Sequence, residues 1–318
     1  MAELNKVTCG GLLKGNTGVP ACYMDLSVIN GIILTPIGYT LTKTEIATTL
    51  LSKLQTSTLA TRANRIYPVL NFVDIKDNTE QPTYQTLGFG RKVLLKEGKY
   101  SFEASYLDGG LCLSNQLRNF NPVKWAAFLV DANGVLIGTK VGDNLMAIPL
   151  NLFYAFPYGI ATSSQAASYK LNIEIEPKYL NEEIGFVQTK GEFDIFDTVK
   201  GLLNLVITAT TTLAAGKIEI MVTNSCGGDN IYDVYGTNLA NITAWIAKNA
   251  TTKNGITITA ATAVPANKTI ELTLDTADAD YPAVASKLTI ELNNPAILAA
   301  TPILMVGYEG ANILTLTV

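Results

Sequence analysis

The clearest pattern in the chain runs from Lys92 to Lys140. Tyr100, Phe102, Ala104 and Tyr106 alternate with Ser101, Glu103 and Ser105. A period of two is the pleat of a strand with one apolar and one wet face. Val93-Leu94-Leu95 leads into this run through Glu97-Gly98, so the pattern predicts one long amphipathic strand that ends at Asp108-Gly109-Gly110. Leu113, Leu117 and Phe120 then recur at i, i+4 and i+7, which predicts a short one-faced helix. Two apolar runs follow, within Phe128–Gly138, separated by Asn133-Gly134. Asn and Gly tolerate positive φ, so this dipeptide between apolar runs predicts a tight hairpin.

The rest of the first two hundred residues gives weaker signals. Residues 1–27 are punctuated by Gly10, Gly11, Gly15, Gly18 and Pro20 and read as an irregular arm that lies on a neighbour or frays. Val28 to Leu34 predicts a strand broken at Gly31. Thr42 and Glu45 have the spacing of a capping box, and Ile46, Leu50 and Leu54 form an apolar stripe behind it. This predicts the best helix in the chain, ending near Thr56 to Thr58. Arg65 to Phe72 reads as extended, Asp74 to Pro82 as an exposed loop, and Leu145 to Tyr154 as a strand with Pro149 at an edge or bulge. In Tyr169 to Glu176, Leu171, Ile173 and Ile175 alternate with Asn172, Glu174 and Glu176, a second amphipathic strand. Lys178 to Phe186 is expected to hold a short helical turn.

Composition shifts between Gly191 and Gly201, and beyond it Thr and Ala dominate. Strand-like runs recur at 203–210, 217–223, 231–235, 242–247, 256–262, 269–274, 287–292, 303–306 and 313–318. Short strands at this spacing predict a β-sandwich, and the span suits an immunoglobulin-like domain of roughly 100 residues. No Cys…Trp…Cys signature accompanies it. The expected fold is therefore mainly β. A β-sandwich or barrel-like domain with one or two helices spans 1–195, and an immunoglobulin-like β-sandwich spans 196–318.

Composition narrows the function. Of 318 residues, 48% are hydrophobic and only 16% charged, against roughly 25% charged in an average soluble domain. A surface poor in charge is expected where partners cover it, or where Thr, Asn and Ser carry the polarity. The net charge of −4 gives no basic footprint for gripping nucleic acid. Histidine is absent, which removes Ser-His-Asp and Cys-His catalysis, His-ligated metals and His-based pH switching. Cys9, Cys22, Cys112 and Cys226 form no Cys-x-x-Cys pair. They read as reduced, mostly buried small hydrophobes, with a Cys9–Cys22 bridge as the alternative. The start lacks the basic and apolar regions of a secretory signal, and no run is long enough to span a bilayer. The expectation is a chain made in a cytoplasm, with no membrane contact.

Few residues suggest chemistry. Asp275, Asp278 and Asp280 bring three carboxylates into one loop but lack the glycine and distal Glu of an EF-hand. Calcium and a solvated turn both remain open there. Glu182-Glu183 are neighbours in sequence and so do not face each other across a substrate. Gly88-Phe89-Gly90-Arg91-Lys92 resembles a scrap of a phosphate loop but precedes a strand instead of a helix. No catalytic residue, cofactor site or metal site is expected, and no enzyme.

The order of these elements resembles the tail-tube proteins of long-tailed phages. The resemblance rests on the strand Lys99–Tyr106, the helix around Leu113–Phe120, the Asn133-Gly134 hairpin and the strand Tyr169–Glu176. It covers about Val28 to Gln188 and has no signature motif. It implies a structural virion protein, made in the host bacterial cytoplasm, whose subunits join into rings, usually hexameric. The rings stack into a tube, meet other virion proteins and let DNA pass as cargo. It further implies that Glu103, Glu174 and Glu176 face the lumen, where an acidic wall repels phosphate. Two other classes stay open on the residues. One is a jelly-roll capsid or shell protein; the other is a virion fibre or adhesin whose terminal domain binds glycans.

Overall fold

The computed structural model describes residues 2–5, 27–106, 110–163, 167–181 and 183–318. The arm residues 6–26, with Cys9 and Cys22, lie outside them, as does Glu182. The protein is mainly β and divides into two compact units. The first comprises Met1–Thr58 with Arg62–Lys200, and the second Leu59–Thr61 with Gly201–Val318. The division after Lys200 lies within the Gly191–Gly201 composition shift.

The first unit has three layers. Its eight-stranded sheet runs in the order Thr40–Leu41, Asn144–Met146, Val135–Val141, Ala126–Asp131, Ile29–Thr35 and Tyr67–Leu70. Ile148–Pro149 adds to Ala126–Asp131, and Ile184–Gln188 adds to Val135–Val141. A four-stranded sheet runs Leu152–Ala155, Tyr169–Ile175, Tyr100–Tyr106 and Asp74–Asp77. Ile32, Leu34, Ala127, Leu129 and Ile137 of the first sheet pack against Ala104, Phe153, Leu171, Ile173 and Ile175 of the second. Ile33, Phe128, Val130 and Leu136 point the other way and meet Ile46, Leu50 and Leu54. The central strands are thus covered on both faces. This is why Ala126-Ala127-Phe128-Leu129-Val130 is continuously apolar and not alternating. Each large side chain buried here contributes roughly 1.5–3 kcal/mol.

The capping box forms as expected. The Thr42 backbone N–H donates to Glu45 Oε2 at 2.9 Å, and the Glu45 N–H donates to Thr42 Oγ1 at 3.3 Å. The helix opens as a π-turn over Glu45–Thr49 and continues as α-helix through Leu50–Thr58. The Asn133-Gly134 hairpin also forms, with Gly134 at φ 75° and Leu129 opposite Ile137. At its neck the fully buried Asp131 carboxylate accepts the backbone N–H groups of Ser27, Asn133 and Val135 at 3.1, 2.9 and 2.8 Å.

Two expectations along this stretch are corrected. The strand expected from Val93 through Tyr106 is two strands, Lys92–Lys96 and Tyr100–Tyr106. They separate where Gly98 packs so closely on Glu80 that an added Cβ would stand 2.0 Å from its carbonyl oxygen. The expected loop from Asp74 to Pro82 contains the strand Asp74–Asp77, which pairs with Phe102 to Ser105. Lys92–Lys96 pairs with Thr83–Thr86 instead, as a separate two-stranded hairpin.

The second unit is a two-sheet sandwich. One sheet runs Ile258–Val264, Thr269–Leu274, Lys217–Asn224, Leu203–Ala209 and Tyr308–Gly310, the last pair parallel. The other runs Gly255–Ile256, Trp245–Asn249, Lys287–Leu292 and Leu314–Thr317. Leu205, Ile207, Ile218, Ile220 and Leu272 meet Trp245, Ala247, Leu288 and Ile290 in one core. Trp245 Nε1 donates to the Leu239 carbonyl at 2.8 Å. The expected strand at Ile231–Tyr235 is a helix, Tyr232–Leu239. Ile231, Tyr235 and Leu239 recur every fourth residue, a helical spacing, and the Asn230 side chain accepts the Tyr232 N–H at 2.9 Å. Ile303 to Val306 is likewise not a strand. There the chain follows an unexpected short helix, Pro295–Ala299, capped by Asn294 with Pro in its first turn.

The reading of the cysteines is also corrected. Cys112 and Cys226 are each engaged in a disulfide, and each is only half-buried. Pairing is decided by distances in the fold, which the sequence spacing of four scattered cysteines does not encode.

Candidate functional site

The three glutamates singled out in the sequence lie along the outer side of the four-stranded sheet. Glu103 is opposite Asn172, and Glu174 opposite Ser101. The inward residues Ala104, Leu171, Ile173 and Ile175 are buried, so alternation leaves these carboxylates on the wet face. Each has a lysine beside it. Lys170 Nζ stands 2.7 Å from Glu103, Lys99 Nζ 4.0 Å from Glu174, and Lys178 Nζ 3.6 Å from Glu176. The face is therefore a lattice of opposite charges and not a uniformly acidic wall. The pairing was hidden in the sequence because Lys170 and Glu103 are brought together only by the strand register.

The second feature is the Thr83–Thr86 and Lys92–Lys96 hairpin. Tyr84 lies opposite Leu94, and Gln85 opposite Val93. Alternation puts Tyr84 and Leu94 on one face and Val93 and Leu95 on the other. All four are between 39% and 60% exposed. The tip is a 3₁₀ turn, Gly88–Gly90, closed by the Leu87 N–H donating to the Arg91 carbonyl at 2.7 Å. Phe89 sits there fully exposed, at φ 65°. A bulky residue in the left-handed region is uncommon. The fragment that resembles a phosphate loop is this tip.

A third feature is a groove in the same unit. One cavity of about 420 Å³ lies between the Asn133-Gly134 turn and the segment 189–196. A second, of about 320 Å³, runs beside the capping-box helix. Glu192 and Phe193 line both. Asp194 starts the short helix Ile195–Thr198 by accepting the Phe196 N–H at 2.9 Å.

The Asp275–Asp280 loop ties up its own carboxylates. Asp275 accepts the Ala277 N–H at 2.9 Å, and Asp278 accepts the Thr257 and Asp280 N–H groups at 2.8 and 3.0 Å. Asp280 accepts the Asn254 amide at 2.9 Å. The Asp280 N–H, with the Thr257 contacts behind it, holds the Asp278 carboxyl below the usual range. Among the described residues no group of three or more Cys, Asp or Glu is arranged to hold a metal ion. No helix among them is long and apolar enough to cross a membrane. No protein-family model matches the chain, and no curated protein matches it.

Proposed function

We propose that this chain is a structural subunit of a phage particle that assembles with copies of itself, in the manner of a tail-tube protein. The observation that carries the reading is the Thr83–Lys96 hairpin, which exposes apolar side chains on both faces and a phenylalanine at its tip. A two-stranded hairpin is marginal by itself in water. Exposed apolar surface of this kind belongs to an interface. The strand order of the second unit supports the same reading, since the resemblance implies a subunit that carries an immunoglobulin-like domain at its end. With the short strands Gly255–Ile256 and Tyr308–Gly310 set aside and the other seven lettered in turn, A, B, E and D fall in one sheet and C, F and G in the other, the order an immunoglobulin-type sandwich would have, with a buried Trp on strand C.

In such an assembly the outer face of the four-stranded sheet is the candidate lumen wall. Its paired Glu and Lys side chains leave no run of free positive charge to trap a phosphate backbone. DNA is then cargo, and the partners are further copies and other virion proteins. The test is negative-stain microscopy of the purified chain across a concentration series. Stacked rings or tubes are the expected result. Closed shells would move the assignment to a capsid protein, and particles that stay monomeric at every concentration would overturn self-assembly.

A further inference from the structure

We infer that the joint between copies is the Leu87–Lys92 hairpin tip of one subunit seated in the groove around Phe193 of the next. The inference rests on the self-assembly reading and specifies its contact. Charge selects the occupant. The tip residues 87–92 contain Arg91 and Lys92 and no acid; residues 189–198, beside the groove, set Glu192, Asp194 and Asp197 against Lys190. The three acids of that segment are all exposed. A chain of net charge −4 thus places two positive charges on this hairpin tip and a net charge of −2 on the segment beside the groove. Shape agrees with charge. The cavity of about 420 Å³ beside Phe193 and Phe196 is within the roughly 300–1,000 Å³ over which enclosed ligand groups are bound. Phe193, Ile195 and Phe196 line it and would meet Phe89 and Leu87, while Glu192 and Asp194, with Lys190 beside them, would meet Arg91 and Lys92. An aromatic anchor inside a polar rim is the usual anatomy of a binding hot spot. Donor and acceptor are different patches of one chain, so the contact is head-to-tail, and repeating it builds a ring or a filament instead of a closed pair.

Charge swapping tests the joint in the full chain, read by analytical ultracentrifugation and microscopy. Arg91→Glu/Lys92→Glu and Glu192→Lys/Asp197→Lys are each expected to weaken assembly by roughly a hundredfold or more, because like charges then meet in the contact. An equimolar mixture of the two variants is expected to restore assembly, since reversed tips find reversed grooves. That rescue also shows that neither variant has lost its fold. Raised salt is expected to weaken the wild-type assembly. If the wild type assembles and both variants assemble equally well, the joint is overturned while self-assembly stands. Loss in the tip variant alone overturns the groove as acceptor. A tip variant that assembles normally but no longer binds anionic phospholipid vesicles, where the wild type does, overturns the joint in favour of a membrane partner. A wild type that never assembles removes the self-assembly reading itself.

Discussion

Two hairpins in the first unit obey the same local rules and meet opposite fates. Ala126–Asp131 and Val135–Val141 turn at Asn133-Gly134 and lie in the middle of the eight-stranded sheet. Thr83–Thr86 and Lys92–Lys96 turn at Gly88–Gly90 and pair only with each other. Both carry apolar side chains on two faces. In the first, Phe128 points to the helix layer and Leu129 to the sheet layer, and both are buried. In the second, Leu94 and Leu95 point to solvent on opposite faces. An apolar run that ends in bulk water adds little to the core of its own unit. The difference therefore marks which hairpin builds the fold and which the proposed joint between copies would use.

The largest expected effect separates the two directly. Phe128→Ala empties a fully buried site and is expected to cost about 3–5 kcal/mol of stability. Phe89→Ala is expected to change stability by no more than about 0.5 kcal/mol, while removing the aromatic anchor of the proposed joint. Denaturant unfolding of the two variants, following the transition of the first unit, checks both. A Phe89 variant as unstable as the Phe128 variant would show that the exposed hairpin packs within its own subunit.

A middle-sized effect comes from the neck of the buried hairpin. Asp131→Ala leaves three backbone donors without their acceptor, the Val135 N–H in a buried bond, and is expected to cost about 1–3 kcal/mol. Asp131→Asn keeps one acceptor oxygen and is expected to cost less. The measurement is again denaturant unfolding, joined to amide exchange at Asn133 and Val135. Unchanged exchange at both amides would show that the turn holds without the carboxylate.

Much of this contrast was legible in the sequence, and the reasons are local. Period-two alternation located Tyr100–Tyr106 and Tyr169–Ile175, because each has one wet face. The Thr42/Glu45 box located the helix, because a cap is written in adjacent residues. Thr269–Leu274 and Lys287–Leu292 fall at their expected bounds. What failed depended on tertiary contact. Val93-Leu94-Leu95 reads as core by hydropathy, and only the fold shows that nothing in the described unit covers it. Ile231–Tyr235 is too short to tell a strand from a helix by apolar content. The groove at Phe193 joins a turn at Asn133 to a segment some sixty residues later. The lysine partners of Glu103 and Glu174 are likewise set by register. That Cys112 and Cys226 are each engaged in a disulfide had no sequence signal at all.

The smallest effect probes how ordered the exposed hairpin is before any partner arrives. Lys96 Nζ stands 2.7 Å from Glu80 Oε2 at the hairpin base, with both side chains more than half exposed. The Lys96 ammonium, by hydrogen bond and by charge, holds the Glu80 carboxyl below its usual range. A carboxyl lowered in the folded state stabilises above its ordinary pKa, and that contribution fades as pH falls through the lowered value. Exposure and salt screening keep it small. The useful readout is therefore the Glu80 titration followed by NMR. Lys96→Gln is expected to return the Glu80 midpoint to the ordinary glutamate range, and high salt to move it part of the way in the wild type. A Glu80 midpoint already at the ordinary value in the wild type would mean that the hairpin base is open in solution. The hairpin would then gain its order only on docking, and ordering it would weaken the joint between copies.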